Sequence, residues 1–334
     1  MLRVGIIGSG FGLYGLLPAF SSLKNCNVVA ICGKKNSRLI TYCKSIGLEN
    51  IYSDWKRMIE NENLDVVAIA VTPKAQYEIA KFAINKKIHV FAEKPLSENY
   101  LHAKELYYLA KKNKIVHAID FIFPEIDLWK KTKQLIDNKT LGQLHNIWVC
   151  WNFLSYDIKT KSSSWKTDAS QGGGALSFFF SHTLFYLEYF CGEIRNIKSN
   201  IIYSNESLNK GDVGANLLFR FKNGVKGAAH LSSDFRGDVI HQIIFRCEDG
   251  QIILKNTKDT IKSFTLSVYK KGKRIKTYNS YLNDVVNEDE RVSVVRKIAG
   301  RFITSCIKKT DMYPSFKEGF RVHKLIDTIR KNNE

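Results

Sequence analysis

Three glycines near the start of the chain form a pattern that could hold a phosphate group. Gly8, Gly10 and Gly12 follow a short apolar run and precede a segment with helical spacing. In a strand–turn–helix unit the first glycine permits the tight turn and the second lets the backbone approach a pyrophosphate, while the helix N-terminus adds positive partial charge. We therefore predict a dinucleotide site that includes Gly8, Gly10, Phe11 and Gly12. The spacing departs from the usual fingerprint, which would place a glycine at Leu13.

Three cations follow the second apolar run. Lys34, Lys35 and Arg38 come after Gly33, where NAD-binding domains usually carry an acid that binds the ribose hydroxyls. No acid competes with an added phosphate here, and up to three cations can meet it. The pattern favours NADP, with NAD as the alternative, and a basic surface loop without a ligand is the other interpretation.

A parallel sheet is needed to bring these residues together. Apolar runs alternate with helical patterns over residues 1–121, and strands are predicted at Leu2–Ile7, Val28–Cys32, Val66–Val71, His89–Ala92 and Ile115–Phe121. This alternation is typical of a parallel sheet with helices on both faces, so the fold class is α/β with an N-terminal Rossmann domain over 1–121.

Consecutive strands dominate the rest of the chain. Seven strand-like runs lie between His145 and Tyr269, joined in places by turn sequences at 222–224 and 248–250, and one long helix is predicted at 172–191. The pattern predicts a second, α+β domain over 122–334 with an open, mainly antiparallel sheet for substrate binding and oligomerisation. A final helix at 315–331 is expected to pack back towards the Rossmann domain. An open sheet with few helices to cover it predicts a homo-oligomer.

Composition excludes several classes of protein. The chain is 44% hydrophobic and 25% charged, its N-terminus lacks a signal-peptide pattern, and polar residues interrupt its most apolar stretch, so we expect a cytoplasmic protein without a membrane partner. The seven cysteines form no C-x-x-C pair, and no metal site is predicted. The net charge of +19 is spread along the chain without a nucleic-acid module, so we expect no nucleic-acid partner. It indicates either a lysine-rich surface or a field that favours anionic ligands such as NADP or a phosphorylated sugar.

Further motifs resemble those of the Gfo/Idh/MocA oxidoreductases. With the glycine turn, the resemblance rests on Thr72-Pro73, Glu93-Lys94-Pro95, Trp165-Lys166, Gly172 to Leu176, Ser181-His182 and Pro314-Ser315-Phe316, in that order along essentially the whole chain. It implies a Rossmann domain followed by a domain with an open antiparallel sheet that often serves in dimers or tetramers. It also implies an NAD(P)-dependent enzyme that oxidises or reduces a small molecule such as a sugar, polyol or nucleotide-sugar.

The resemblance implies roles for individual residues. Lys94 would be the catalytic lysine beside the nicotinamide, and His182 a second acid or base. An ammonium group can stabilise a developing alkoxide, and a lysine pKa falls readily in a partly buried basic site. The further cofactor-binding residues are Thr72, Pro73, Gln76, Glu93, Lys94, Trp165 and Lys166.

Several positions depart from the family pattern. Phe178 replaces the usual Asp, Phe180 a Gly, Phe185 an acid, Ile122 an Arg and Gln76 a His. The substrate pocket is then either more apolar or uses other polar side chains, of which the candidates are Asp120, Glu125, Tyr156 and Lys166. The run of three phenylalanines from Phe178 is also consistent with core packing.

Three hypotheses follow. The leading one is an NADP-dependent dehydrogenase or reductase of a sugar or nucleotide-sugar. The first alternative is a non-enzymatic NADP-sensing protein on the same fold, and the second is a reductase of a more apolar carbonyl or imine.

Overall fold

The computed structural model describes residues 1–204, 211–280 and 288–333. The chain divides into two compact units, and neither is continuous in sequence. The first comprises Met1–Ile122 and Asp284–Arg321, and the second comprises Phe123–Asn283 and Val322–Glu334.

The first unit is built on a six-stranded parallel sheet. Its strands are β1 (Leu2–Ile7), β2 (Cys26–Cys32), β3 (Ile51–Tyr52), β4 (Val66–Ile69), β5 (His89–Ala92) and β6 (His117–Ile119), in the order β3-β2-β1-β4-β5-β6. The helices between them are α1 (Leu17–Ser21), α2 (Ser37–Ser45), α3 (Trp55–Asn61), α4 (Pro73–Asn85) and α5 (Tyr100–Lys112). Every residue of β4 is buried, as expected for a strand with helices on both faces.

The helix after the glycine turn begins irregularly. Gly12–Leu16 forms a π-helical turn that continues directly into α1. Pro18 has no N–H and so cannot donate to the Tyr14 carbonyl, which removes one regular α-helical hydrogen bond at this point.

The second unit contains an eight-stranded sheet. Its strands are β7 (Leu144–Asn152), β8 (Ile194–Tyr203), β9 (Asp212–Phe221), β10 (Lys226–Ser232), β11 (Ile240–Cys247), β12 (Gly250–Asn256), β13 (Thr265–Lys270) and β14 (Lys273–Asn279). Their order is β14-β13-β12-β11-β7-β10-β9-β8, and all neighbours are antiparallel except β7 and β10. The predicted fold class, a Rossmann sheet plus a mainly antiparallel sheet, is therefore confirmed.

Helices cover one face of this second sheet. The unit's helices are α6 (Asp127–Asp137), α7 (Tyr156–Lys159), α8 (Ala175–Phe178) and α9 (Ser181–Cys191). Trp129 of α6 stacks on Phe190 of α9 at 5.6 Å, and Phe190 contacts Phe245 of β11 at 4.8 Å between ring centroids. These aromatic side chains form the core between helices and sheet.

The prediction of one long helix over 172–191 is wrong. The structure has two helices, α8 and α9, preceded by a turn in which Gly172 and Gly174 have φ values of 77° and 97°. Such left-handed backbone favours glycine and does not occur within a right-handed α-helix. Phe179 and Phe180 separate the two helices.

The other face of the sheet carries an apolar row. Leu218, Ala228, Trp148 and Ile244 stand side by side in register on β9, β10, β7 and β11. They line a groove of about 740 Å³, and Trp148 and Leu218 are 51% and 60% exposed. The next row carries cations instead, at Arg220, Lys226 and Arg246.

Two helices complete the chain, α10 (Val292–Lys308) and α11 (Phe316–Lys331). In α10 the buried positions Val292, Val295, Ala299, Phe302 and Cys306 recur every three or four residues and form one apolar face. No helix among the described residues is long and apolar enough to cross a membrane.

Candidate active site

The glycine turn after β1 has the steric features of a dinucleotide site. Gly8 has φ of 132°, and a Cβ atom there would lie 2.2 Å from the Ala70 carbonyl oxygen, so only glycine fits. A Cβ atom at Gly10 would meet no described atom within 4 Å, and Gly10 is exposed. The backbone at Gly10 is therefore open to close approach by a phosphate group, which is what a nicotinamide dinucleotide requires here.

The cationic segment after β2 lies against this turn. A Cβ atom at Gly33 would be 2.7 Å from Ser9 Cβ, so the end of β2 touches the glycine turn. Lys34, Lys35 and Arg38 are exposed, and the Arg38 guanidinium lies 5.4 Å from the ring centroid of Tyr14. The residues predicted to bind the pyrophosphate therefore lie next to those predicted to bind the 2′-phosphate.

The loop that carries Lys94 lies at the same edge of the sheet. Gly8 follows β1, Thr72 follows β4 and Glu93 follows β5, and all three strands are parallel. Open parallel sheets bind their ligands at this carboxyl edge. Lys94 is half-buried, and its backbone N–H donates to Glu93 Oε2 at 3.2 Å.

Thr72 and Pro73 begin α4 at this edge. Thr72 is exposed and Pro73 is the first residue of the helix, where its missing N–H costs nothing. The Thr72 side chain makes no capping hydrogen bond to α4. Both residues therefore lie at the carboxyl edge of the sheet that also carries the glycine turn and the Glu93 loop, and their contact with a cofactor stays a prediction.

The buried Gln76 side chain contacts the backbone of the Lys94 loop. Its Nε2 lies 2.6 Å from the Glu93 carbonyl, 2.9 Å from that of Pro95 and 3.2 Å from that of Leu96. The residue is 1% exposed. The amide that we expected to meet the cofactor is instead directed at the loop backbone.

Arg291 is a candidate site residue that the sequence did not indicate. It lies at the start of α10, with its guanidinium 4.2 Å from the ring centroid of Phe11 in the glycine turn. Nε and Nη2 each donate to Asp289 at 2.8 Å. Burial opposes its charge, but Asp289 and Glu93 raise the pKa of Arg291, so the group is a permanent cation beside the turn.

The second unit brings Trp165, Lys166 and Phe178 together. The Trp165 and Phe178 rings are 5.4 Å apart, and Lys166 Nζ lies 4.8 Å from the Phe178 ring centroid. Lys166 also faces Asp157, with 3.7 Å between Nζ and Oδ2. Phe178 thus fills, with an aromatic ring, the position at which the family pattern has an acid.

His182 lies on the buried side of α9. It is 7% exposed and its ring is 5.1 Å from that of Phe123. Phe180 is fully buried, whereas Phe178 is not, so core packing explains part of the phenylalanine run. The pairing of His182 with Lys94 stays a prediction.

The other polar candidates differ in accessibility. Glu125 is buried and lies 2.8 Å from Lys130 Nζ, while Tyr156 is 74% exposed. Asp120 is buried at the end of β6. Asp120 and Glu125 are therefore buried, Tyr156 is exposed, and a role for any of the three in substrate binding stays a prediction.

Comparison with known proteins identifies the family. Residues 2–121 match a family model described as an oxidoreductase family with an NAD-binding Rossmann fold, and residues 129–253 match the GFO/IDH/MocA C-terminal domain. An uncharacterised oxidoreductase of Synechocystis, sll0816, is 26% identical over 349 residues, which cover 100% of this chain and 94% of the relative.

Solved structures share the fold. Levoglucosan dehydrogenase in complex with NADH and levoglucosan superposes with a TM-score of 0.85 at 20% identity, covering 99% of this chain and 96% of that one. KijD10, a 3-ketoreductase from Actinomadura kijaniata in complex with NADP and TDP-benzene, has a TM-score of 0.83 at 16% identity, with coverage of 100% and 98%.

Proposed function

The chain belongs to the Gfo/Idh/MocA family of NAD(P)-binding oxidoreductases, and we propose that it is a cytoplasmic, NADP-dependent dehydrogenase or reductase of a sugar or nucleotide-sugar. The observation that carries the proposal is the position of Lys94. Its loop follows β5 at the edge where the glycine turn opens, so a dinucleotide held at Gly10 extends along the edge that also carries Lys94.

In this proposal Lys94 moves the proton. When bound, the nicotinamide supplies or accepts the hydride. Lys94 Nζ hydrogen-bonds the reacting oxygen, gives a proton to a carbonyl that becomes a hydroxyl, or removes one in the opposite direction. Gln76 and Glu93 hold the Lys94 backbone in place, and His182 is the second proton carrier or orients the substrate.

The preference for NADP rests on charge. Lys34, Lys35 and Arg38 lie beside the turn that receives the phosphates, with no acid among them to bind ribose hydroxyls. The solved relatives include one complex with NADH and one with NADP, so the fold is compatible with either cofactor. The three cations are the feature of this chain that supports the proposal of NADP.

The substrate class is supported by relatives and shaped by Phe178. The structural neighbours include a levoglucosan complex, which favours a sugar. The Trp165–Phe178 pair favours a second candidate, a more apolar carbonyl or imine, because an aromatic wall replaces a carboxylate that would bind hydroxyl groups.

The experiment is a steady-state assay with NADPH and NADH against sugars, nucleotide-sugars and apolar carbonyls, followed by Lys94→Met. We expect turnover to fall about 10²-fold or more, the scale for loss of a positioned acid–base group, while the cofactor Kd changes little. Lys104→Met, at an exposed position on α5, is the control. Full turnover in Lys94→Met would remove the proton-transfer role, and activity on apolar carbonyls alone would favour the second candidate.

A further inference from the structure

Asp120 and Glu93 are brought side by side by strand register. Ala92 pairs with Ile119 in the β5–β6 ladder, so Glu93 and Asp120 are the next residues along two adjacent strands. The Asp120 backbone N–H donates to the Ala92 carbonyl at 2.9 Å and extends the pairing by one residue. Two carboxyl groups therefore meet directly beneath the loop that carries Lys94.

The surroundings of Asp120 disfavour an ionised carboxylate. The residue is 1% exposed, and neither of its side-chain oxygens receives a hydrogen bond from any residue that the structure describes. A buried carboxylate without donors is strongly destabilised. A carboxylic acid has an O–H that can donate, and the Glu93 carboxylate lies within hydrogen-bonding reach.

The charged groups around Asp120 act in both directions. Burial raises the pKa of Asp120 well above its usual range, and Glu93 raises it further through repulsion and through the hydrogen bond to the protonated form. Lys94 and Arg291 oppose this shift. The net effect is a raised pKa, which favours the protonated form of Asp120.

We propose that Asp120 donates a hydrogen bond to Glu93 and thereby positions the loop that carries Lys94. Glu93 Oε2 accepts a hydrogen bond from the Lys94 backbone N–H. In the proposal, the Glu93 carboxylate therefore accepts two hydrogen bonds, one from Asp120 at the end of β6 and one from the Lys94 loop. Asp120 is a positioning residue, since it reaches the reacting atoms only through Glu93 and Lys94. Its kinetic role rests on the proposed function of Lys94.

The first test measures stability and needs no substrate. Asp120→Asn is close to isosteric, is always neutral and can still donate to Glu93. Because the folded-state pKa of Asp120 is raised, the wild type loses stability as pH rises above the ordinary carboxyl pKa, and the variant does not. We expect Asp120→Asn to have the higher Tm at pH 8 and the two Tm values to converge near pH 4. Parallel Tm profiles across this range would overturn the proposal.

The second test measures rescue. Asp120→Ala removes the donor, and we expect kcat to fall about fivefold to tenfold, the scale of one hydrogen bond, with little change in cofactor Kd. Asp120→Asn should restore kcat to within about twofold of the wild type. An Asn variant as impaired as the Ala variant would overturn the positioning role.

The two proposals fail separately. If Lys94→Met kept full turnover while Asp120→Asn still changed the pH profile of Tm, the proposed function would fall and the hydrogen bond from Asp120 would stand. If Lys94→Met lost turnover and Asp120→Asn left the pH profile of Tm parallel to that of the wild type, the reverse would hold.

Discussion

At the scale of single residues, Gln76 shows how a substitution can change what a position does. Its Nε2 lies within 3.2 Å of three loop carbonyls, and a histidine ring nitrogen, with one N–H, could satisfy fewer of them. The amide therefore fixes the loop that carries Lys94 from inside the protein. The side chain is 1% exposed, and its contact with the cofactor stays a prediction.

The residue-scale prediction concerns cofactor choice. Replacing Lys34 and Lys35 together by Gln removes two of the three cations beside the glycine turn and keeps the side chains polar. We expect the Kd for NADPH to rise about tenfold, which corresponds to about 1.4 kcal/mol, within reach of one or two charge-assisted hydrogen bonds. The Kd for NADH should change little, because NADH has no 2′-phosphate.

Fluorescence titration of both cofactors checks this result. Lys111 and Lys112, exposed at the far end of α5, provide the matched double Gln control with the same change in net charge. Equal weakening of NADPH and NADH would mean that the cations act through the general field of the protein. Tighter binding of NADH by the wild type would refute the NADP assignment.

Sequence motifs predict the site residues that follow a strand and miss those that depend on packing. Gly8, Thr72 and Lys94 carry local signatures, and the structure places them at one edge of the sheet. Arg291 gave no signal because it lies at the start of a helix 197 residues after Lys94 in the sequence. The adjacency of Asp120 and Glu93 depends on the β5–β6 register, which a single sequence does not specify.

At the scale of elements, Arg330 of α11 connects the glycine-rich turn before α8 to β9. Its Nη2 donates to the Gly173 carbonyl at 2.9 Å and to Asp212 Oδ1 at 3.1 Å. Asp212 Oδ2 in turn accepts the Leu176 N–H at 2.7 Å. A Cβ atom at Gly174 would lie 2.2 Å from Asp212 Oδ1, so the turn, the strand and the helix fit only with glycine there.

We expect Arg330→Met to destabilise the protein, because it leaves the buried Asp212 carboxylate without its cation. The loss should be about 2–3 kcal/mol, at or below the low end for breaking a buried pair, since Arg330 is 35% exposed. Burial raises the pKa of Asp212 and Arg330 lowers it, so the pKa rises further in the variant. Stability is then lost as pH rises, and the deficit should be larger at pH 8 than at pH 4.5.

Urea denaturation at both pH values measures the deficit. Lys331→Met is the control, because the neighbouring Lys331 is 72% exposed and pairs with Asp327 on the surface. An equal loss of stability in both variants, or a loss that does not depend on pH, would contradict the role of the Arg330–Asp212 ion pair.

Elements with a clear apolar pattern were predicted, and those without one were not. β1 and β5 match their predicted bounds. β14 was missed because six of its seven residues are exposed and no apolar alternation marks it. α10 was missed because it opens with β-branched valines and contains Gly300, which have low helix propensity, so its apolar face is recognisable only once the packing is known.

At the scale of the whole molecule, the face of the eight-stranded sheet that carries the apolar row predicts self-association. Leu218 and Trp148 are more than half exposed in the apolar row, which is unusual for large side chains of a monomer. Each copy carries a net charge of +19, so mutual repulsion opposes a dimer and salt should strengthen it. We therefore expect at least a dimer by light scattering at micromolar concentration, with more dimer at higher salt.

Leu218→Glu tests the surface directly. The substitution places a charge in the apolar row at little cost to folding, and we expect a shift towards the 38.3 kDa monomer. Leu101→Glu, at a leucine 68% exposed on α5, is the matched control. A wild type that is monomeric at high salt, or two variants with the same mass, would exclude this face as the interface.

The buried histidines and Asp120 also make folding a reaction that exchanges protons with solvent. Burial lowers the pKa of His117 and His323 to about 4 and that of His241 to about 3. Near pH 5 these three rings are neutral when folded and protonated when unfolded, so folding releases protons. As pH rises through the ordinary histidine pKa, the unfolded rings lose their protons and this release declines, whereas the raised pKa of Asp120 in the folded state favours proton uptake on folding. The two kinds of group therefore act in opposite directions: the buried histidines lower the stability of the fold as pH falls, and Asp120 lowers it as pH rises.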